Sequence, residues 1–110
     1  MFDLDNKVAV ITGSARGLGQ AIALKLAKAG ADIALCDLQL DWLVESEELV
    51  KNTGVNAKSY SINVSDNNSV IEGIKKIESD FGKIDILVNN AGTTKDGLLL
   101  RMSAVSYTHL

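Results

Sequence analysis

The 110-residue sequence predicts an α/β fold built as a doubly wound parallel sheet. Three observations carry that prediction. Short apolar, β-branched runs alternate with stretches whose apolar residues recur every three or four positions. Glycines fall at the junctions between them, and no proline interrupts any segment. Alternation of this kind, with short turns, places helices on both faces of a parallel sheet.

Lys7 to Thr12 (KVAVIT) is the first strand, and its apolar run up to Gly13 suits burial on both faces. From Gly17 to Ala29 the period lengthens. Leu18, Ile22, Leu26 and Ala29 form a helical stripe, closed by Gly30 as a C-terminal cap. Asp32 to Asp37 (DIALCD) reads as the second strand, and Leu40 to Asn52 as a second helix ending near Gly54. In that helix Trp42 and Leu43 read as packing residues, and Glu45, Glu47 and Glu48 as a solvated face. Ala57 to Asn63 (AKSYSIN) is a more polar third strand. Val70, Ile74, Ile77 and Phe81 mark a third helix ending at Gly82, with Asp66 or Ser65 as its N-cap. Ile84 to Asn89 (IDILVN) is the fourth strand. The expected strand order, 3-2-1-4, leaves the apolar outer edge from Ile84 to Val88 unpaired and open to aggregation.

Composition narrows the function. The length suits one domain, since domains commonly run to ~100–200 residues. Apolar residues at 46% and a net charge of −3 exclude a disordered chain and any broad attraction to nucleic acid. The lone Cys36 allows neither an internal disulfide nor a multi-cysteine metal site, and it suits a reducing cytoplasm, the expected location. No apolar run approaches the ~18 residues of a membrane span. The start, Met1 to Asp5, is acidic and lacks the layout of a secretory signal.

The richest local chemistry is Thr12-Gly13-Ser14-Ala15-Arg16-Gly17-Leu18-Gly19, between the first strand and the first helix. Glycine lets the backbone approach a bulky ligand, and the free N–H groups at a helix start favour a pyrophosphate. A glycine-rich string is also an ordinary strand–helix turn. Its place after a buried strand and before an amphipathic helix favours the binding role. A triphosphate P-loop is excluded, because no Gly-Lys-Ser/Thr follows. Asp37 lies 18 residues beyond Gly19, at the end of the second strand, where an acid hydrogen-bonds ribose hydroxyls and repels a 2′-phosphate. It therefore favours NAD. Arg16 pulls the other way, since a guanidinium beside the turn can hold the 2′-phosphate of NADP.

These residues resemble the short-chain dehydrogenase/reductase family over about residues 3–102. The match is Thr12-Gly13-x-x-x-Gly17-x-Gly19, then Asn63-Val64-Ser65-Asp66, then Asn89-Asn90-Ala91-Gly92. The resemblance implies the N-terminal half of a Rossmann-type fold that binds a nicotinamide dinucleotide. Gly13, Ser14, Arg16, Gly17, Leu18 and Gly19 would wrap the pyrophosphate and adenosine ribose. Asn63 and Val64 would border the adenine. Asn90, Ala91 and Gly92 would line the nicotinamide-side ribose, with Asn89 fixing the strand end. Thr94-x-Asp96-x-Leu98-Leu99-x-Arg101-Met102 is similar to the matching stretch of 3-oxoacyl-[acyl-carrier-protein] reductases, which reduce a β-keto acyl thioester. That resemblance implies a carbonyl or acyl-carrier-protein-linked substrate. An NAD-linked alcohol dehydrogenase is the alternative that Asp37 raises.

In the family a tyrosine protonates the developing alkoxide, its pKa lowered by a nearby lysine and the nicotinamide ribose. The family's serine and its Tyr-x-x-x-Lys pair have no counterpart here; Tyr107 comes too soon after Asn89, and His109 has no partner. The expectation is therefore a cofactor-binding fragment, residues 1–102, with no catalytic or metal residue of its own. Residues 103–110 are expected to be a non-family tail, the product of a chimeric reading frame. Such a fragment would be inactive alone, and homo-oligomers are expected for the full-length parent only. A non-catalytic dinucleotide-binding module, or a truncated product without function, is the alternative reading.

Overall fold

β1 (Val8–Thr12) is the centre of the sheet, and all five of its residues are buried. An unbroken apolar run satisfies a strand covered on both faces. β2 (Asp32–Asp37) pairs beside it in parallel, from Val8 opposite Asp32 to Thr12 opposite Cys36. β3 (Ala57–Ser61) lies outside β2, and β4 (Ile86–Val88) pairs with the other side of β1, Val10 opposite Leu87. The order β3-β2-β1-β4 is the predicted one. The computed structural model describes residues 3–90. The expected roles of Ala91 and Gly92, the 94–102 motif and the 103–110 tail lie outside those residues.

Helices α1 (Gly17–Lys28), α2 (Val44–Lys51) and α3 (Asn67–Phe81) connect the strands. The two-residue period of β1 divides its side chains between two cores. Ala9 and Ile11 join Ile33 and Leu35 of β2 against Ala23 and Ala27 of α1. Val10 joins Ala34, Cys36 and Tyr60 against Val70, Ile74 and Ile77 of α3. Asp66, not Ser65, caps α3, accepting from the N–H groups of Asn68 (2.9 Å) and Ser69 (3.3 Å). Gly82 ends it in the left-handed conformation at φ +85°. Among the described residues no helix is long and apolar enough to cross a membrane.

Four local expectations need correction. The buried stripe of α1 is Gly19, Ala23 and Ala27, whereas Leu18 is 68% exposed. Small residues let α1 settle closely on the sheet, and Leu18 stands in the first turn, where no described layer covers it. The second helix opens as a 3-10 turn, Leu40–Leu43. Successive side chains in such a turn point ~120° apart. Leu43 therefore faces the core while Trp42 remains 42% exposed. β3 ends at Ser61 rather than Asn63, although the Ile62 N–H still donates to the Asp37 carbonyl at 2.9 Å. β4 starts at Ile86 rather than Ile84. The Val8 N–H donates to the Asp85 carboxylate (2.8 Å), so a side chain occupies the first rung of that ladder.

Candidate functional site

The turn from β1 to α1 holds Gly13 at φ +64° and Gly17 at φ +60°, a region that costs other residues steric strain. A Cβ on Gly19 would stand 2.0 Å from the Gly13 carbonyl oxygen and 2.7 Å from Asn90 Nδ2. A Cβ on Gly17 would meet nothing within 4 Å. Gly19 therefore lets α1 pack against its own turn, and Gly17 leaves open space above the helix start. Arg16, at the N-cap, is extended and gives no side-chain cap, and the first turn holds no acid. The positive end of α1 is left free for an anion.

The C-terminal ends of β2 and β4 are hydrogen-bonded to this turn, and the end of β3 lines the same cleft. The Thr12 hydroxyl accepts from the Asn90 N–H (2.9 Å) and donates toward Asn89 Oδ1 (3.2 Å). Asn90 Nδ2 donates to the Gly13 carbonyl (3.2 Å), which ties the end of β4 to the turn. Asp37 is half-buried at the end of β2. One of its oxygens accepts from the Ala15 N–H (3.2 Å) and the other from the Leu38 N–H (2.9 Å). Each carboxylate oxygen retains acceptor capacity for a ligand hydroxyl. Beyond β3, Asn63 Oδ1 accepts from the Ser65 N–H (3.0 Å), which fixes the loop before α3.

A cleft of about 390 Å³ results, and Gly13, Asp37, Leu38, Asn63, Val64 and Asn90 line it. Cys36 lies at its floor. Burial, reinforced by the Asp37 charge, pushes the thiol up to about 12, so the sulfur stays protonated and inert. A wider groove, about 660 Å³, runs along β3 and α3 and contains no residue of the glycine turn. Its Asp80 is already engaged, accepting from the Tyr60 hydroxyl (2.7 Å) and pairing with Lys58 (3.0 Å).

Five of the sequence-predicted residues thus share one cleft: Gly13, Asp37, Asn63, Val64 and Asn90. Gly17 and Leu18 are exposed beside it on the first turn of α1. The Arg16 guanidinium lies over the Trp42 ring, 5.5 Å from its centroid, and forms no ion pair among the described residues. Ser14 points away from the cleft. It is fully buried, and its Oγ accepts from the Cys36 N–H at 3.0 Å. Ala91 and Gly92 lie outside the described residues.

Sequence reasoning missed Gln20 and Ser46, and it quoted Thr12 in the glycine motif without giving it a role. Thr12 reads as one more β-branched strand residue, although its hydroxyl is the junction between β1 and β4. Ser46 hides among glutamates, yet it is fully buried. The available signal is its spacing from the buried Leu43 and Val50, three and four residues apart, which is the period of a packed helix face.

The comparisons with known proteins agree with this architecture. A family model described as short chain dehydrogenase matches residues 7–109. A 2-dehydro-3-deoxy-D-gluconate 5-dehydrogenase from Pseudoalteromonas atlantica is 50% identical over 95 residues, covering 84% of this chain and 37% of that protein. A 3-oxoacyl-[acyl-carrier-protein] reductase from Staphylococcus epidermidis is 44% identical over 98 residues, covering 88% of this chain and 40% of that protein. A crystal structure of NAD+-bound xylitol dehydrogenase superposes with a TM-score of 0.84 at 32% identity, over 94% of this chain and 48% of that one. A metagenomic short-chain oxidoreductase in complex with NADP superposes at 0.78 with 34% identity, over 82% and 41%. The chain therefore spans about two fifths to one half of the length of these proteins.

Proposed function

Because the chain belongs to the short-chain dehydrogenase/reductase family, we propose that it binds the nicotinamide dinucleotide of an NAD(P)-dependent oxidoreductase that interconverts a carbonyl and a hydroxyl group. The observation that carries this reading is the uncapped start of α1 beside a cleft that holds the Asp37 carboxylate. The turn fits a pyrophosphate: its helix start offers free N–H donors, and Gly17 leaves open space where a side chain would intrude. Gly13, Arg16, Gly17 and Leu18 form the wall around the pyrophosphate, with the buried Ser14 and Gly19 holding the turn from behind. Asp37 accepts from the ribose hydroxyls, Asn63 and Val64 border the adenine, and Asn90, with Ala91 and Gly92, serves the second ribose. The bound dinucleotide supplies or accepts the hydride. The residues of this chain hold and orient it.

NAD is the favoured form. Two backbone N–H groups fix the Asp37 carboxylate where a 2′-phosphate would be repelled. Arg16 is the one feature that favours NADP. For the whole protein we propose reduction of a 3-oxoacyl thioester, supported by the 94–102 motif and the relative that is 44% identical. A sugar-acid dehydrogenase is the second reading, supported by the relative that is 50% identical and by Asp37.

Calorimetric titration of NAD+ and NADP+ into the chain tests the cofactor. The expected result is tighter binding of NAD+, with Asp37→Ser weakening NAD+ and improving NADP+ by about tenfold each, the effect of one ~1.4 kcal/mol interaction. Failure of both dinucleotides to bind would overturn the proposal. Assays of the full-length protein with a β-keto acyl thioester and a keto sugar acid separate the two substrate readings.

A further inference from the structure

Ser46 belongs to α2, outside the glycine turn, yet its hydroxyl reaches behind that turn. It stands 2.7 Å from the Ser14 carbonyl oxygen and 3.0 Å from that of Ala15, sharing its one proton between them. Gln20 Nε2 donates to the Ser46 oxygen (2.9 Å) and lies 3.3 Å from the Ala15 carbonyl. Both carbonyls are therefore drawn inward, toward α2. A planar trans peptide points the following N–H in the opposite direction. The Ala15 N–H obeys this rule and meets the Asp37 carboxylate at 3.2 Å. The Arg16 N–H is turned outward in the same way, beside the free start of α1, and no described group accepts from it.

We infer that Ser46 is a positioning residue for the dinucleotide's pyrophosphate, holding the Ala15–Arg16 peptide so that its N–H faces the anion. The inference rests on the dinucleotide reading above. It differs from plain satisfaction of buried carbonyls, because it makes the ligand's phosphates sensitive to a side chain that never touches them. The ribose end depends less on Ser46, since the Leu38 N–H also anchors Asp37.

The test compares ADP with adenosine as ligands of the full chain and of its Ser46→Ala variant. The variant is expected to bind ADP about tenfold more weakly, near the low end for a lost hydrogen bond to a charged group. Adenosine binding should change less than about twofold, a small fraction of that loss. Equal weakening of both ligands, or no weakening of either, would overturn the inference. Failure of the unaltered chain to bind ADP would instead sink the dinucleotide reading itself. If Ser46→Ala does not fold, Gln20→Leu decides: it removes the amide that donates to the Ser46 oxygen, the Ala15 carbonyl and Glu45, and leaves the Ser46 hydroxyl on both carbonyls. It should give the same selective loss for ADP at a smaller ratio.

Discussion

Gly17 and Gly19 sit two residues apart and are glycine for unrelated reasons, which makes them a sharp test of the turn. Gly19→Ala drives a methyl into the Gly13 carbonyl and the Asn90 amide. Backbone cannot yield as a flexible side chain can, so α1 must move off its turn. Overpacking of this kind costs about 1–3 kcal/mol. Gly17→Ala meets no neighbour, and its cost is the left-handed backbone at φ +60°, about 1–2 kcal/mol. Gly17→Asn should recover part of that loss, because asparagine tolerates this conformation. Urea denaturation is expected to rank Gly19→Ala as the less stable variant and Gly17→Asn as the mildest. Dinucleotide titration is expected to penalise Gly17→Ala beyond its stability loss, since the new methyl enters the open space over the helix start. A Gly17→Ala chain as stable as Gly17→Asn would contradict the strain argument.

Among the elements, the α3–β3 junction and the buried Cys36 of β2 make the stability of the fold depend on pH. The Tyr60 hydroxyl, then Lys58, hydrogen-bonds Asp80 and holds that carboxyl below its ordinary 3.8. Burial, then Asp80, pushes the Tyr60 phenol above its ordinary 10.0, and burial takes Cys36 from 9.0 to about 12. A lowered acid contributes stability above its unfolded pKa and loses it as pH falls through the folded value. A raised group does the reverse, and its contribution fades as pH climbs past the unfolded value. The carboxyls of Glu47 and Asp85 are held down as that of Asp80 is. Thermal unfolding should therefore show a plateau that falls away on the acid side below 4.5, the ordinary value of Glu47, and on the alkaline side above 9.0, the ordinary value of Cys36. Asp80→Asn should lower the plateau and flatten its acid limb, while an unchanged acid limb would assign that limb to other carboxylates. Much of this level was legible in the sequence. The glycine-punctuated alternation marked all four strands and three helices, because a strand buried on both faces, as β1 is, demands an apolar run; β3, more polar, was marked by its place in the alternation. Packing phase was less legible. The stripe of α1 rests on Ala23 and Ala27 rather than on Leu18, since a close helix–sheet contact selects small residues that hydrophobicity patterns undervalue. Trp42, expected to pack, is exposed because a 3-10 turn resets which side faces inward, and local composition does not announce it.

At the scale of the molecule, the cleft follows from the way the sheet is wound. β2 and β4 flank β1, but α1 packs on one face of the sheet and α3 on the other. The chain therefore leaves β1 and β2 toward one face and β3 toward the other, and a crevice opens between the departing loops. Asp37, Asn63, Asn90 and the glycine turn reach one cleft although they are far apart in sequence; each follows the end of a different strand. The candidate site was legible to that extent, since motifs at successive strand ends must share a rim. The hydrogen bonds that fix it, such as Thr12 to Asn90, were not, because they depend on the register of β1 against β4. The opposite rim has its own hollow of about 450 Å³, around Asp5, Lys28, Asp32 and Asn56, but no glycine turn before a helix. This asymmetry gives a whole-molecule prediction for hydrogen exchange with and without NAD+. Ligand at a hundred times its Kd adds about 2.7 kcal/mol to global stability, which slows the most protected amides of β1 and β2 throughout. Local slowing should be confined to 13–19, 37–40, 62–65 and 88–90, the segments at one rim. Residues 5–7, 28–31 and 53–56 exchange through local openings that the ligand does not touch, so their rates should stay as they are. Slowing centred on that second rim would move the binding site to the wrong end of the sheet and with it remove the role assigned to Asp37.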